Sequence, residues 1–189
     1  MSRPLGRPRV SSRATIAEAA CELFLEQGYD ATSISDITRR AGVARSSFFN
    51  YFGAKGDVLW GGFDERMDAV VALLATDMPV RTALLGLADH VAPDALALAI
   101  TNAEAMGLAA ELERDRALRQ RRLQREVAAR LRRDGADPLA AEVHAGAYAA
   151  AAMAALWAWA DRTWAGPPLA ALLADALTYA EGGASAPSA

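Results

Sequence analysis

The chain has 189 residues, about half of them apolar and about a quarter alanine, which is enough for a sizeable helical core and disfavours sheet. Its net charge of −3 argues against a uniformly basic nucleic-acid binder, yet residues 1–56 carry eight basic and five acidic side chains while residues 57–189 carry 12 and 18, so a basic head precedes an acidic body. A single cysteine, Cys21, excludes an intrachain disulfide, and the two histidines, His90 and His144, stand in no metal-ligand spacing.

Residues 1–12 read as a flexible basic arm, with Arg3, Arg7 and Arg9 interrupted by Pro4 and Pro8 and no helical period. Its Gly6-Arg7-Pro8 core suits a narrow A·T-rich minor groove, and it suits a solubilising tail equally well. The spacing then predicts a helix over 12–27, with Ile16, Ala19, Ala20, Leu23, Phe24 and Gln27 on one face and Gly28 as its stop.

Residues 32–55 organise the rest. Ser33 followed three residues later by Asp36 reads as a capping box, and Ile34, Ile37 and Ala41 give the short helix behind it one buried face. Gly42 allows the positive φ of an abrupt turn, Val43 fills the angle, and a second helix restarts at Ala44. Its inner face is Phe48, Tyr51 and Phe52; its outer face is Arg45, Ser46, Ser47, Phe49 and Asn50. Guanidinium, hydroxyl and amide groups on a short exposed helix are the chemistry that pairs with base edges and phosphates in a major groove. Lys55, at the start of the next helix, is placed to add its charge to exposed amides and clamp a phosphate.

The stretch from about Thr15 to Leu59 resembles the N-terminal domain of TetR-type transcriptional repressors, through Ala19-Ala20, Leu23-Phe24, Gly28-Tyr29, Thr32-Ser33-Ile34, Asp36-Ile37, Ala41-Gly42-Val43, Phe48 to Phe52, and Lys55. The resemblance implies an all-helical homodimer with the second motif helix in the major groove of a palindromic operator, and it adds Thr32 and Ser33 to the DNA-binding candidates. Three positions depart from the pattern: Ala44 replaces the usual cap hydroxyl, Phe49 a frequent phosphate-binding tyrosine, and Asn50 a frequent histidine. Base preference therefore does not carry over from relatives.

Past residue 56 a longer helix is expected over 55–76, with Val58, Leu59, Phe63, Met67, Val70, Val71 and Leu74 at helical spacing, joining head to body. A tilt of it would move the recognition helix. Trp60-Gly-Gly-Phe-Asp64 is similar to a TetR subgroup that includes mycofactocin-system regulators, which implies an acyl-CoA-type ligand; the same aromatics also serve as plain packing. Five further helices are expected at 79–90, 93–110, 113–134, 138–163 and 167–181, broken at Pro79, Pro93, Gly135 with Pro138, and Gly166-Pro167-Pro168. The domain reading is thus 1–12 arm, 13–56 DNA-binding head, 57–181 effector-binding and dimerisation body, and 182–189 disordered tail.

The 113–134 helix turns Leu118, Leu123, Val127 and Leu131 inward and crowds arginines on the rest, a surface for a phosphate-bearing ligand or nucleic acid, or more simply a solvated face paired with Glu111, Glu113, Asp115, Glu126 and Asp134. From Val143 to Ala160 only His144 is polar. A helix apolar all round and rich in alanine reads as one buried on both sides rather than as a membrane span. Tyr148, Ala152, Ala155 and Trp159, with Leu169, Leu172, Leu173 and Leu177 of the last helix, would build a four-helix homodimer interface. Phe63, Met67, Ile100, Met106 and Tyr148 are the candidate lining of a pocket for a small apolar effector, with a filled core as the alternative.

No nucleophile–base set, metal motif or phosphate loop stands out, so enzyme chemistry, a cofactor and a metal are not expected. The start lacks the apolar run of a secretory signal, so a cytoplasmic protein is expected. The sequence reads as a ligand-responsive, DNA-binding repressor; a helical scaffold or partner-binding protein is the competing class.

Overall fold

A computed structural model describes residues 9–162 and 166–182, with side chains from Arg13 onward. Arg3 and Arg7 of the arm, the side chain of Arg9, and the tail from residue 183 lie outside the described residues. Every regular element among the described residues is helical: α1 Arg9–Gln27, α2 Ile34–Arg40, α3 Arg45–Phe49, α4 Asp57–Leu74, α5 Val80–Leu85 followed by a 3-10 turn Gly86–Ala88, α6 Ala95–Thr101, α7 Ala109–Arg133, α8 Pro138–Ala160 and α9 Leu169–Ala180.

The chain divides into two compact units, one built from the residues up to Gly61 together with Asp94–Glu111, the other from Gly62–Pro93 with the residues from Leu112 onward. The body expected as one stretch from residue 57 therefore gives up two pieces to the head: the first turn of α4, and α6 with the segment after it. The reason is local. Helix does not continue through 93–110 as expected, because Asp94 caps α6 through the amides of Leu96 and Ala97, and α6 ends at Asn102. Gly107 takes φ +67°, which only glycine adopts without strain. That turn buries Met106 and Leu108 completely and aims the Met106 carbonyl at the backbone amide of Tyr29, 2.7 Å away.

In the first unit Ile16, Ala20 and Phe24 of α1 pack with Ile37, Phe48, Phe52, Val58, Leu59 and Trp60, all at most 4 % exposed. Each large side chain so buried stabilises by about 1.5–3 kcal/mol. Cys21 is buried there too, its thiol pushed up to about 12 by desolvation and, secondarily, by Asp94, Glu18 and Glu22. It is a packing residue, as a small apolar side chain on α1 should be.

In the second unit Phe63, Met67, Val70 and Leu74 of α4 form a core with Leu84, Leu123, Val127, Met153 and Leu156. The inward face of α7 runs through Leu112, Arg119, Leu123, Val127 and Arg130, so Leu118, expected inside, falls off the face and is 66 % exposed. Arg119 forks onto the Asp64 carboxylate at 2.8 and 2.7 Å, Arg122 pairs with Asp68, and Arg132 with Glu142. Most arginines of this helix are thus spent on neighbouring helices and local acids, and the face is a set of struts rather than an open anion site. Arg130, only 6 % exposed, donates to the carbonyls of Thr76 and Met78 beyond the end of α4, while Arg133 donates to that of Leu74.

Helix α8 is long and apolar enough to cross a membrane by composition alone. Asp137 caps its start, and Ala141, Ala145, Ala149, Ala152, Met153, Ala155, Leu156, Trp159 and Ala160 are buried within the protein. The expected interface residues Ala152, Ala155, Trp159, Leu169, Leu173 and Leu177 are all among the buried residues of a single chain, at most 7 % exposed. In the single chain they sit where α8 packs against α9.

Candidate nucleic-acid interface

The interface is built on α2, the turn at Gly42, and α3. The capping box forms in full: the Ser33 hydroxyl accepts from the Asp36 amide at 3.1 Å, and the Asp36 carboxylate accepts from the Ser33 amide at 3.1 Å and hydroxyl at 2.6 Å. These bonds, the Ser33 hydroxyl foremost and then its amide and Arg39, hold the Asp36 carboxyl down at about 2. Helix α2 is tied to α1 by Arg40, whose guanidinium spans Glu26 and Glu22; hydrogen bonding to the two carboxylates raises its own pKa and lowers that of Glu26.

At the turn Gly42 has φ +67°, and Val43 returns its amide to the Thr38 carbonyl at 3.0 Å. Ala44, the residue before α3, supplies no side-chain cap. Phe48 is fully buried and meets Phe49 edge-on and Phe52 at a tilt, both with ring centroids 5.4 Å apart. That anchor turns Arg45, Ser46 and Asn50 out as exposed residues, leaves Ser47 half-buried, and holds the Phe49 ring 51 % exposed. Among the described residues Arg45 reaches back only to the Ser35 hydroxyl, at 3.4 Å, a long contact that leaves most of its donors available there.

Two candidates are placed differently from expectation. Thr32 is 2 % exposed, with its hydroxyl donating to the Gly28 carbonyl at 2.8 Å, so its side chain belongs to the α1–α2 turn and not to an outer surface. The Lys55 ammonium donates to the carbonyls of Tyr29 at 2.6 Å and Thr32 at 2.9 Å and lies 3.9 Å from the centre of the Tyr29 ring, so it is turned inward. The amides of Gly53 and Ala54, just before Lys55, donate to the Asp57 carboxylate at 3.1 and 2.8 Å. Three residues were overlooked in the sequence: Arg40 as the α1–α2 strut, Asp57 as the cap before α4, and Arg39, whose side chain is 75 % exposed beside the interface. An acid three residues after a Gly-Ala step was a readable cap signal for Asp57; nothing in spacing singles out Arg40.

The pattern for the family described as bacterial regulatory proteins, tetR family, matches residues 16–59. This segment is a TetR-family domain. Over 70 residues the chain is 36 % identical to the mycofactocin biosynthesis transcriptional regulator MftR of Mycobacterium tuberculosis, covering 37 % of this chain and 35 % of that protein. Over 76 residues it is 37 % identical to the transcriptional repressor Rv3405c of the same species, covering 40 % and 39 %. The chain thus spans little more than a third of the length of these curated relatives, which are named as transcriptional regulators. Among solved structures the TetR-family repressor FadR of Thermus thermophilus, in complex with lauroyl-CoA, is similar over 94 % of this chain and all of its own, with 27 % identity and a TM-score of 0.53. The fatty acid degradation regulator FadR of Bacillus halodurans has the same fold at a TM-score of 0.51 and 20 % identity, over 97 % of this chain and 99 % of its own.

The candidate pocket residues do not gather in one unit. Phe63 and Met67 lie in the second unit, 2 % and 0 % exposed. Ile100 and Met106 belong to the TetR-type head, and Tyr148 is half-buried, its hydroxyl donating to Glu181 at 3.1 Å. Burial, then the Glu181 carboxylate, raises the Tyr148 pKa. Met106 is tied to the head by its own backbone bond to Tyr29.

Proposed function

We propose that this chain is a ligand-responsive transcriptional regulator: a repressor that binds a palindromic operator in double-stranded DNA as a homodimer and is released by a small apolar molecule of the acyl-CoA class. The observation that carries the DNA reading is the outer face of α3, where Arg45, Ser46, Asn50 and the Phe49 ring are held outward by the buried Phe48. Ser33 at the exposed cap of α2 and Ser47 complete the proposed contact set. Five residues of helix reach few base pairs, so selectivity requires two copies on two half-sites. Leu139 and Val143 on α8, 74 % and 63 % exposed, and Tyr179 on α9, 67 % exposed, are the apolar side chains we assign to the dimer surface in place of the buried set.

The ligand class is supported by the similarity over nearly the whole chain to a repressor solved with lauroyl-CoA. Phe63 and Met67, in the apolar core of the second unit, with Tyr148 at its edge, are the residues we assign to the effector. A protein with this role works in the cytoplasm, where its operator is. For 100-fold release the ligand must favour the DNA-free form by about 2.7 kcal/mol. The test is selection of fragments from the native genome by the purified chain, repeated with acyl-CoAs of graded length. Enrichment of one near-palindrome, lost with a long-chain acyl-CoA, is expected. Enrichment of no fragment rejects the DNA reading, and enrichment indifferent to every acyl-CoA rejects the ligand class.

A further inference from the structure

The chain uses arginine for 19 of its 20 basic residues and lysine once, at Lys55. The surroundings of that ammonium explain the exception. It sits between two backbone carbonyls, Tyr29 at 2.6 Å and Thr32 at 2.9 Å, and over the face of the Tyr29 ring at 3.9 Å. A compact tetrahedral donor fits such a nook, whereas a planar guanidinium, with its donors fixed in a fork, does not substitute for it. Thr32 is the last residue before the Ser33 cap of α2, and Lys55 follows α3 by a few residues. One bond therefore ties together the two ends of the segment that holds both motif helices. Tyr29, the other acceptor, is gripped again on its amide by the Met106 carbonyl at 2.7 Å, and its ring meets that of Phe24 edge-on with centroids 5.1 Å apart.

We propose that Lys55 is a positioning residue for DNA recognition, a clasp that fixes α2 and α3 on the Tyr29–Thr32 turn, and not a phosphate ligand; this rests on the DNA-binding reading above. To reach a phosphate the ammonium would have to abandon both carbonyls and the ring, leaving the Thr32 carbonyl without the lysine that closes the motif. Desolvation of the site lowers the lysine pKa, as burial of a cation should, with Asp30 opposing. An exposed phosphate-seeking lysine would not be under that pressure.

The single lysine makes the test clean. The 189-residue chain, free and bound to its genome-selected operator, is treated with an amine-acylating reagent, and modification of Lys55 is followed by peptide mass spectrometry. A clasp reacts slowly and at the same rate in both states. A phosphate contact is protected about tenfold or more only when DNA is present, and that result overturns the proposal. In parallel, Lys55→Met should lose about tenfold or more on the operator while binding random DNA as before, with the slope of log affinity against log salt unchanged. Equal losses on both DNAs, with the slope shallower by about 0.9 per protomer, would overturn it as well. Should Lys55→Met fail to fold, Lys55→Arg decides: it keeps the charge, so a phosphate contact predicts retained operator preference and the clasp predicts its loss. If the wild-type chain selects no DNA at all, the DNA-binding reading fails first and takes this inference with it.

Discussion

The two units hold themselves together in different ways. Behind α1 the head carries the short helices α2, α3 and α6, and polar side chains close several of its joints: Ser33 with Asp36 at the start of α2, Arg40 from α2 to α1, Asp57 before α4, Lys55 across the motif. The second unit is built mostly on the long helices α4, α7 and α8, whose alanines and leucines pack with little directional chemistry, and its polar links include the arginines that bolt α7 to α4 and to the chain beyond it, Arg132 to Glu142, and Tyr148 to Glu181. Directional contacts fix geometry, which the proposed DNA-reading role asks of the head.

The contrast breaks most sharply at the cores. Phe48→Ala removes a fully buried ring from beneath α3 and should cost about 3–5 kcal/mol, abolishing DNA binding, while the second unit keeps its helicity in a denaturant melt. Loss of both units in one transition would show that they are not independent in stability. Next in size, Arg130→Met strands the carbonyls of Thr76 and Met78, and it should cost about 2–3 kcal/mol with no change in operator preference. The smallest effect sharpens the polar side of the comparison. Ser33→Ala removes a cap and should cost about 1 kcal/mol.

The same cap carries a pH signature. The Asp36 carboxyl titrates at about 2 in the folded chain, below its ordinary 3.8, so its contribution is present in full above the ordinary value and is lost as pH falls through 2. A folded-state midpoint near 4, read by NMR titration of the side-chain carboxyl, would contradict the capping box.

The head was legible because its chemistry is local. Ser33-x-x-Asp36, Gly42 and the Phe48–Phe52 spacing each specify geometry within a few residues, and the exposed set Arg45, Ser46 and Asn50 follows from the helical period alone. What sequence could not reveal is long-range. The inward turn of Lys55 depends on carbonyls 26 and 23 residues away, and the recruitment of Met106 depends on the turn at Gly107 bringing it to Tyr29. The dimer surface is a related case: period shows which side chains share a face of α8, but not whether α9 of the same chain or a partner covers that face. On α7 two arginines, Arg119 and Arg130, stand in line with the apolar face, and an apolar-only reading slid to Leu118 instead.

The central claim is that the outer face of α3 reads bases, with Arg45 as its principal reader. The direct measurement is the affinity of Arg45→Ala for the genome-selected operator, for that operator with each half-site position substituted, and for random DNA. The account predicts a loss of about 1–3 kcal/mol on the operator, tolerance of substitution at one position in each half-site, and unchanged binding to random DNA. Equal losses on operator and random DNA would contradict it, because Arg45 would then be a backbone contact and the reading face would lie elsewhere.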